Sequence, residues 1–272
     1  MLVDHDVHVH TALSACCNDP EATAANLIAR AAEVGLRTIG FADHLWDSAV
    51  AGASDWYRPQ DVPHVLAIRR EIPADTRGVR VLIGCETEYC GGGKVALSPE
   101  AASQFDFVLV PTSHFHMKGF VVPDEALPAP RLAPLLLDRF REALGLNLGV
   151  PMGIAHPFVP LGHFECLDKA ISLLSDAQFQ DAFGRAAERR ISMEVHPAMF
   201  PSLGRGEKRH FHDETFLRVL TIARQAGCLF HFASDAHRLD AIGSVRRLEP
   251  FATAIGITPQ HIHPLFRADP AA

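Results

Sequence analysis

The chain has 272 residues, of which 48% are hydrophobic and 21% are charged, and its formal net charge is −7. This apolar fraction supports a globular core, and single α/β barrels commonly have this length. The acidic balance argues against a surface for nucleic acid or anionic membrane, because such a surface needs clustered Lys and Arg.

The cysteines and the ends of the chain bear on location. Six cysteines are present and none are spaced as CxxC, so neither a zinc ribbon nor a thioredoxin-type site is indicated. A strand-like run begins close to Met1 and leaves no room for a signal peptide. No apolar run approaches the roughly 18 residues that a membrane span requires. We therefore expect a reduced, cytoplasmic protein with no membrane or nucleic-acid partner.

Seven short apolar runs predict β-strands. Several are apolar on both faces, which is typical of parallel strands covered by helices. The runs are residues 3–10, 38–44, 79–88, 105–114, 150–156, 191–196 and 228–235. Between them, apolar residues recur with helical spacing, and we predict seven β/α units. No linker or low-complexity segment interrupts these units, so residues 1–272 are expected to form a single barrel domain.

Three amphipathic stretches illustrate the predicted helices. We expect Asp19 and Pro20 to open the first helix and Gly35 to end it. The expected buried stripes are Ala24, Leu27, Ile28 and Ala31 in the first stretch, Phe179, Ala182, Phe183 and Ala186 in the second, and Phe216, Val219, Leu220 and Ala223 in the third.

Metal-binding side chains lie at the C-terminal ends of the predicted strands, where a β/α barrel holds its active site. They are His8, His10, His44, Glu86, His114, His156, Asp235 and His237. A single histidine is more often a core or surface residue. Imidazoles and carboxylates at consecutive strand ends are instead the ligand set of a transition-metal hydrolase.

The spacing within two of these segments supports a common site. His8 and His10 are two residues apart on a strand, so their rings point to the same side. Asp235 and His237 repeat this spacing after the last strand. The first and last strands of a closed barrel are neighbours, so we expect these four side chains to meet.

Together these residues resemble the PHP (polymerase and histidinol phosphatase) superfamily over the whole chain. The resemblance is carried by the HxH motif of the first strand, by Asp43 and His44 after the second, by the strand-end Glu and His residues, and by the final DxH motif. It implies a distorted, TIM-barrel-like (β/α)7 barrel with a site of two or three metal ions at the C-terminal ends of the strands.

The resemblance also implies which residues hold which divalent ion, whether zinc, manganese or iron. One ion would be bound by His8, His10, Glu86 and Asp235, a second by Glu86, His114 and His156, and a third by His44 and His237. Members with three ions usually carry a further His or Asp six residues after the HxH motif, where this chain has Cys16. A thiolate is a good zinc ligand. Cys16 is therefore either a ligand or a buried apolar residue beside a weak or absent third ion.

The activity that the resemblance implies is that of a metal-dependent phosphoesterase similar to histidinol-phosphate phosphatases. A metal-bridging hydroxide would attack the phosphorus of a small phosphomonoester in line, with the cations stabilising the developing charge. Asp43 would face away from the ions and orient a ligand.

Two long connections follow strand ends, residues 46–60 and 196–212, and we expect both to overhang the site. Arg205, Lys208 and Arg209 lie in the second, where histidinol-phosphate phosphatases carry a phosphate-binding arginine. The segment 194–197 departs from the Glu-x-Asn pattern of those enzymes, and a solvated basic loop is the alternative. His196 shares a strand face with Glu194 and is a candidate to line the pocket.

The first long connection is aromatic. Trp46, Trp56 and Tyr57 either cover the pocket or pack on the rim of the barrel.

Other functions remain open on the same sequence. A metal-dependent hydrolase of a non-phosphate ester, lactone or amide could use this site, and the missing Asn and Cys16 motivate that alternative. Nucleic-acid processing is disfavoured by the acidic balance. A non-catalytic scaffold is disfavoured because nearly all ligand positions are filled.

Overall fold

The computed structural model describes residues 2–122, 127–204 and 211–267. Its main feature is a seven-stranded parallel sheet in which the strands lie side by side in the order in which they occur along the chain. The strands are β1 His5–Val9, β2 Thr38–Phe41, β3 Arg80–Glu86, β6 Phe107–Pro111, β7 Met152–Ala155, β8 Ser192–Val195 and β9 Leu229–Phe232. A separate two-stranded hairpin, β4 Tyr89–Gly91 and β5 Lys94–Val95, follows β3 and was not predicted.

The sheet closes into a barrel where its first and last strands meet, and the contact between them is short. Val9 forms a parallel bridge with Ala236, and the backbone N–H of His10 donates to the carbonyl oxygen of Ala236 at 2.9 Å. The prediction of a distorted seven-stranded β/α barrel is confirmed. Closure at this point brings the HxH segment next to the DxH segment, although they lie near opposite ends of the chain.

The helices cover the outside of the barrel. They are α1 Ala24–Glu33, α2 Val62–Leu66, α3 Pro99–Ala102, α4 Ala129–Ala143, α5 Leu167–Ser172, α6 Asp176–Glu188, α7 Asp213–Gln225 and α8 Glu249–Ile255. The three predicted apolar stripes, on α1, α6 and α7, are buried. No helix among the described residues is long and apolar enough to cross a membrane.

The predicted start of α1 is wrong. The helix begins at Ala24, and Thr23 caps it by accepting a hydrogen bond from the backbone N–H of Asn26. Asp19 instead accepts hydrogen bonds from the N–H groups of Glu21 and Leu239. Thr and Asp both cap helices well, so the pattern alone did not distinguish between them, and the contact between Asp19 and the distant Leu239 segment is tertiary.

Side chains rather than solvent fill the barrel interior. The Phe107 ring lies against Gly84 and Gly40, and a Cβ atom at Gly84 would collide with it. Glycine on one strand therefore accommodates a large ring from its neighbour, in keeping with the packed interior of small barrels. Because this ring fills the interior between the strands, the strand-end histidines are reached from the mouth of the barrel rather than through its interior.

Candidate metal centre

The metal-binding residues predicted from the sequence lie together at the C-terminal mouth of the barrel. Three groups of donor atoms form there, and within each group the atoms lie within 4.8 Å of one another. The groups are His8, His10 and Asp235; Glu86, His114 and His156; and His10, Cys16, His44 and His237. We call them the first, second and third groups. The donors are nitrogen, oxygen and sulfur atoms, which suit zinc and related divalent ions.

Glu86 lies at the centre of these groups. As the last residue of β3 it is almost fully buried, and its Oε2 atom lies 3.3 Å from His8 Nε2 and 3.1 Å from His44 Nδ1. Its Oε1 atom lies 3.2 Å from His156 Nε2. Burial alone would raise the pKa of Glu86, but the imidazoles of His8 and His44 hold it well below its usual range. Glu86 is therefore an ionised carboxylate with one oxygen facing each side of the site.

Asp235 supplies a second carboxylate, which is partly exposed. Its Oδ1 atom lies 3.0 Å from His10 Nε2 and 3.6 Å from His8 Nε2. The backbone of Asp235 is left-handed with φ of 54°, and that of His156 has φ of 30°. Non-glycine residues rarely adopt such angles, and where they do they often lie at functional sites. In this barrel two of the candidate ligands have this conformation.

The third group differs from the expected ligand set because it includes His10. Cys16 belongs to this group, and burial, followed by the charges of Glu86 and Asp235, raises the pKa of its thiol to about 12. A cation beside the sulfur acts in the opposite direction and favours the thiolate. Cys17, the next residue, faces elsewhere and donates from Sγ to the carbonyl oxygen of His237.

Two buried carboxylates behind the histidines were missed in the sequence. Glu194 Oε2 lies 2.8 Å from His8 Nδ1, and Glu88 Oε2 lies 2.7 Å from His114 Nδ1. A carboxylate behind an imidazole is the usual support of a metal-binding histidine. Two features of the sequence could have indicated these residues. Glu194 is a charged residue inside the strand β8, and Glu88 lies two residues after Glu86.

These carboxylates also change the charge state of the imidazoles. Burial alone would lower the pKa of His114, but the charge of Glu88 and its hydrogen bond raise it to about 9. For His8, the carboxylates of Glu194 and Glu86 likewise outweigh burial and hold the pKa well above its usual value. The site thus has a strong preference for positive charge, and a divalent ion satisfies it.

Asp43 contacts a neighbour of a candidate ligand rather than a histidine. Its two carboxylate oxygens accept hydrogen bonds from the backbone N–H and the hydroxyl of Thr11, at 2.6 Å and 2.7 Å. Its carbonyl oxygen accepts the N–H of Glu86 at 3.0 Å. Asp43 therefore links the segment that carries His10 to the end of β3.

His196 lies beside the first group. Its Nδ1 atom accepts the N–H of Ala198 at 2.8 Å, and its Nε2 atom lies 3.9 Å from Asp235 Oδ2 without a hydrogen-bond partner. Burial lowers the pKa of His196 to about 4. It is not among the residues that line the cavity described next. The other predicted substrate residues, Arg205, Lys208 and Arg209, lie outside the described residues.

A cavity of about 400 Å³ opens onto the three groups. Besides Glu86, Asp235 and the candidate ligands His44, His114, His156, His237 and Cys16, its lining consists of Ser54, Trp56, Tyr57, His116, Met117 and Leu161. Trp56 and Tyr57 thus lie at the cavity, whereas Trp46 is buried with Tyr57 in a small cluster at the rim. No Lys or Arg occurs in the described part of this lining. His116, left unassigned from the sequence, is part of it.

Comparison with known proteins agrees with the fold. The PHP domain family model matches residues 6–193. A probable phosphatase from Aliivibrio fischeri (strain MJ11) is 22% identical over 249 residues, which cover 92% of this chain and 84% of that protein. A histidinol phosphate phosphatase from Lactococcus lactis subsp. lactis Il1403, solved with zinc, L-histidinol and phosphate, is 15% identical with a TM-score of 0.60 over 95% of each chain. The family prediction is confirmed: this chain belongs to the PHP domain family and is a metal-dependent hydrolase of that family.

Proposed function

We propose that this protein hydrolyses a small phosphomonoester with two or three divalent ions bound at the barrel mouth, and that residues 1–272 act as one catalytic unit. The observation that carries the proposal is the position of Glu86, whose two oxygens face different imidazole groups within 3.3 Å. A buried ionised carboxylate in that position is suited to bridge two cations.

The donor geometry supports a specific assignment. The ligands of the three ions would be His8, His10, Glu86 and Asp235; Glu86, His114 and His156; and Cys16, His44 and His237. When bound, zinc, manganese or iron ions supply Lewis acidity that neutralises phosphate charge and makes a coordinated water acidic near neutral pH.

The residues around the ligands fix their orientation. A carboxylate oxygen can only accept, so the Nδ1 atoms of His8 and His114 carry the hydrogens donated to Glu194 and Glu88. The Nε2 lone pairs of both rings then face Glu86, the side on which an ion would sit. In this scheme Asp43 is a positioning residue that acts through Thr11.

The substrate class is supported by the relatives and by the size of the cavity. One relative is named a probable phosphatase, and the structural relative was solved with L-histidinol and phosphate. A volume of about 400 Å³ suits a small molecule. Arg205, Lys208, Arg209 and His196 remain candidate substrate-binding residues.

The test is phosphate release from a panel of phosphomonoesters, including L-histidinol phosphate, by protein loaded separately with zinc, manganese or iron. We expect release with at least one ion and loss of at least a hundredfold in Glu86→Gln, whose amide cannot neutralise two cations. The proposal fails if no loaded form releases phosphate from any member of the panel.

A second candidate is hydrolysis of a non-phosphate ester, lactone or amide. It is favoured by the absence of Lys and Arg from the described lining of the cavity, since phosphate sites commonly use such side chains. This alternative predicts that Arg205→Ala leaves turnover nearly intact. Turnover of carboxylic esters, lactones or amides together with no phosphate release would establish it.

A further inference from the structure

The apolar side chains that line the cavity are Trp56, Tyr57, Met117 and Leu161, which we call the apolar wall. Within it, Trp56 and Tyr57 lie beside His44 of the third group, and Met117 packs against the cluster that contains Tyr57. The Trp56 ring centroid lies 5.2 Å from that of His44, with an angle of 69° between the planes. A molecule that is bound at the histidine groups and extends toward Trp56 would therefore contact the indole.

Contacts on its buried side hold the wall in place. The Tyr57 hydroxyl donates to Glu88 Oε2 at 2.9 Å, and Glu88 also contacts His114. The Tyr57 ring meets Trp56 nearly perpendicularly, with centroids 4.7 Å apart. Gln60 adds a hydrogen bond from its amide to the carbonyl oxygen of Trp56 at 3.0 Å. The position of the indole is thus tied to a carboxylate that orients a candidate ligand.

Trp56 is nevertheless left accessible. It is 40% exposed, and among the described residues the only other large hydrophobic side chain with comparable exposure is Leu173, at 45%, which is not part of the cavity lining. Tyr57, its neighbour in the wall, is fully buried. An indole at the mouth of a cavity is suited to pack against an apolar part of a ligand.

The charges of the described lining point to the same kind of ligand. Its carboxylates are Glu86 and Asp235, and both face imidazoles within 3.3 Å. Neither is free to pair with an ammonium group on a substrate, and the described lining contains no other carboxylate. A cationic group beside Trp56 would gain only a cation–π contact, which offsets part of its lost hydration, so the lining favours an uncharged group there.

Resting on the phosphomonoesterase activity proposed above, we infer that the substrate carries an uncharged, apolar ring in its leaving group, and that Trp56 selects for it by packing against that ring. In the reaction, a water oxygen forms a bond to phosphorus and the ester P–O bond breaks. The water supplies the proton that the departing alkoxide takes up, so the products are a ring-bearing alcohol and inorganic phosphate.

The test compares three alkyl phosphates. The ammonium and hydroxyl substituents make the alcohols of the two polar esters the better leaving groups, so faster turnover of the ring-bearing ester reports recognition. Phenethyl phosphate carries the ring, glycerol phosphate is polar, and aminoethyl phosphate carries an ammonium group. We expect kcat/KM for phenethyl phosphate to exceed the other two by about tenfold or more, the scale of a well-packed aromatic contact. Trp56→Ala should reduce this ratio about tenfold, and Trp56→Phe should largely retain it.

Leu173→Ala is the matched control, because it removes the other exposed large hydrophobic side chain without touching the cavity. It should leave the ratio unchanged. Equal kcat/KM values for the three esters, or an unchanged ratio in Trp56→Ala, would overturn the inference while leaving phosphate release, and hence the proposed function, intact.

If no ester is hydrolysed, the proposed function fails, and binding then tests the wall by itself. Calorimetric titration of zinc-loaded protein with phenethylphosphonate and methylphosphonate needs no turnover. A preference of about tenfold for the phenethyl compound that Trp56→Ala abolishes supports the inference. Equal affinities, or no binding of either compound, overturn it.

Discussion

Glu194 Oε2 lies 2.8 Å from His8 Nδ1, although 186 positions separate the two residues in the chain. The other oxygen of Glu194 accepts the backbone N–H of His156 at 2.9 Å. Glu194 and His8 are both buried. Burial alone would raise the pKa of Glu194, but the charge of His8 outweighs burial and holds this pKa below its usual range. A single ionised side chain from β8 thus orients two candidate ligands from different strands.

This relationship predicts that Glu194→Gln weakens metal binding about tenfold to a hundredfold, the usual effect of losing such a support. If the amide oxygen keeps the bond to the His156 N–H, the NH2 group faces His8 Nδ1. Nδ1 must then accept, which moves the imidazole hydrogen to Nε2, the atom that faces Glu86. Zinc affinity measured by chelator competition checks this result.

Glu188→Gln, at an exposed position near the end of α6, makes the same chemical change away from the site and should leave zinc affinity unaltered. Equal zinc affinities of wild-type protein and Glu194→Gln would contradict the supporting role of Glu194.

Cys16 can be tested spectroscopically. If its sulfur binds the third ion, cobalt-substituted protein should show a near-ultraviolet sulfur-to-cobalt charge-transfer band that Cys16→Ser lacks. Cys17→Ser is the neighbouring control, because the Cys17 thiol hydrogen-bonds to the His237 carbonyl and lies outside the donor group. A band that persists in Cys16→Ser would show that Cys16 is not a ligand, most directly if the same band is lost in Cys17→Ser.

Ion binding should stabilise the fold. The donors come from strands far apart in sequence, so the unfolded chain cannot assemble them and the ions bind mainly to the native state. At a free ion concentration one hundred times Kd, each independent site should add about 2.7 kcal/mol to the free energy of unfolding. Urea denaturation with zinc and with a chelator measures the difference.

The double variant His8→Ala/His10→Ala should lose the part of this zinc-dependent gain that the first group contributes, about 2.7 kcal/mol, because it removes two of the donors of that group. Wild-type protein that is equally stable with zinc and with chelator would argue against a metal site at the barrel mouth.

Asp43→Asn should destabilise the protein. The buried Asp43 carboxylate accepts both the N–H and the hydroxyl of Thr11, and an amide offers only one accepting oxygen. One buried donor then loses its partner, which costs about 1–3 kcal/mol. The free energy of unfolding in urea checks this value. Asp55→Asn at an exposed position should have no effect, and an equal loss in both variants would contradict the prediction.

Stability should fall in acid partly through His263. Burial, aided by the positive charges of His231, Arg190 and Arg267, lowers its pKa to about 4 from an ordinary value of 6.5. Between these values the unfolded chain holds the extra proton, so stability is lost as pH falls through this window. His263→Gln should flatten the pH dependence by at most about 1.4 kcal/mol per pH unit.

His212→Gln is the control of opposite sign for this measurement. The hydrogen bond that His212 Nδ1 donates to the Asp168 carboxylate, supported by the charge of that carboxylate, raises the pKa of His212, so its contribution is present at low pH and is lost as pH rises. Removing it should steepen the rise of stability with pH. A His263→Gln profile identical to that of wild-type protein would contradict the assignment to His263.

Local pattern was sufficient for much of the architecture. The three apolar stripes were predictable because helical spacing places those residues on one face. The seven strands were predictable because segments such as Phe107–Pro111 are apolar on both faces. The start of α1 was not predictable, because Asp19 and Thr23 have similar capping propensities. Only the contact of Asp19 with Leu239 distinguishes them.

The sequence by itself determined the set of candidate ligands, because strand periodicity and strand ends are local properties that place His8, His10, Glu86 and Asp235 on one face of a barrel. Tertiary structure decided how those ligands are held and what adjoins them. The support of His8 by Glu194, the membership of His10 in two donor groups and the hydrogen bond from the Tyr57 hydroxyl to Glu88 all join segments distant in the chain. Such contacts depend on how the strands and loops pack, and no local pattern of residues encodes them.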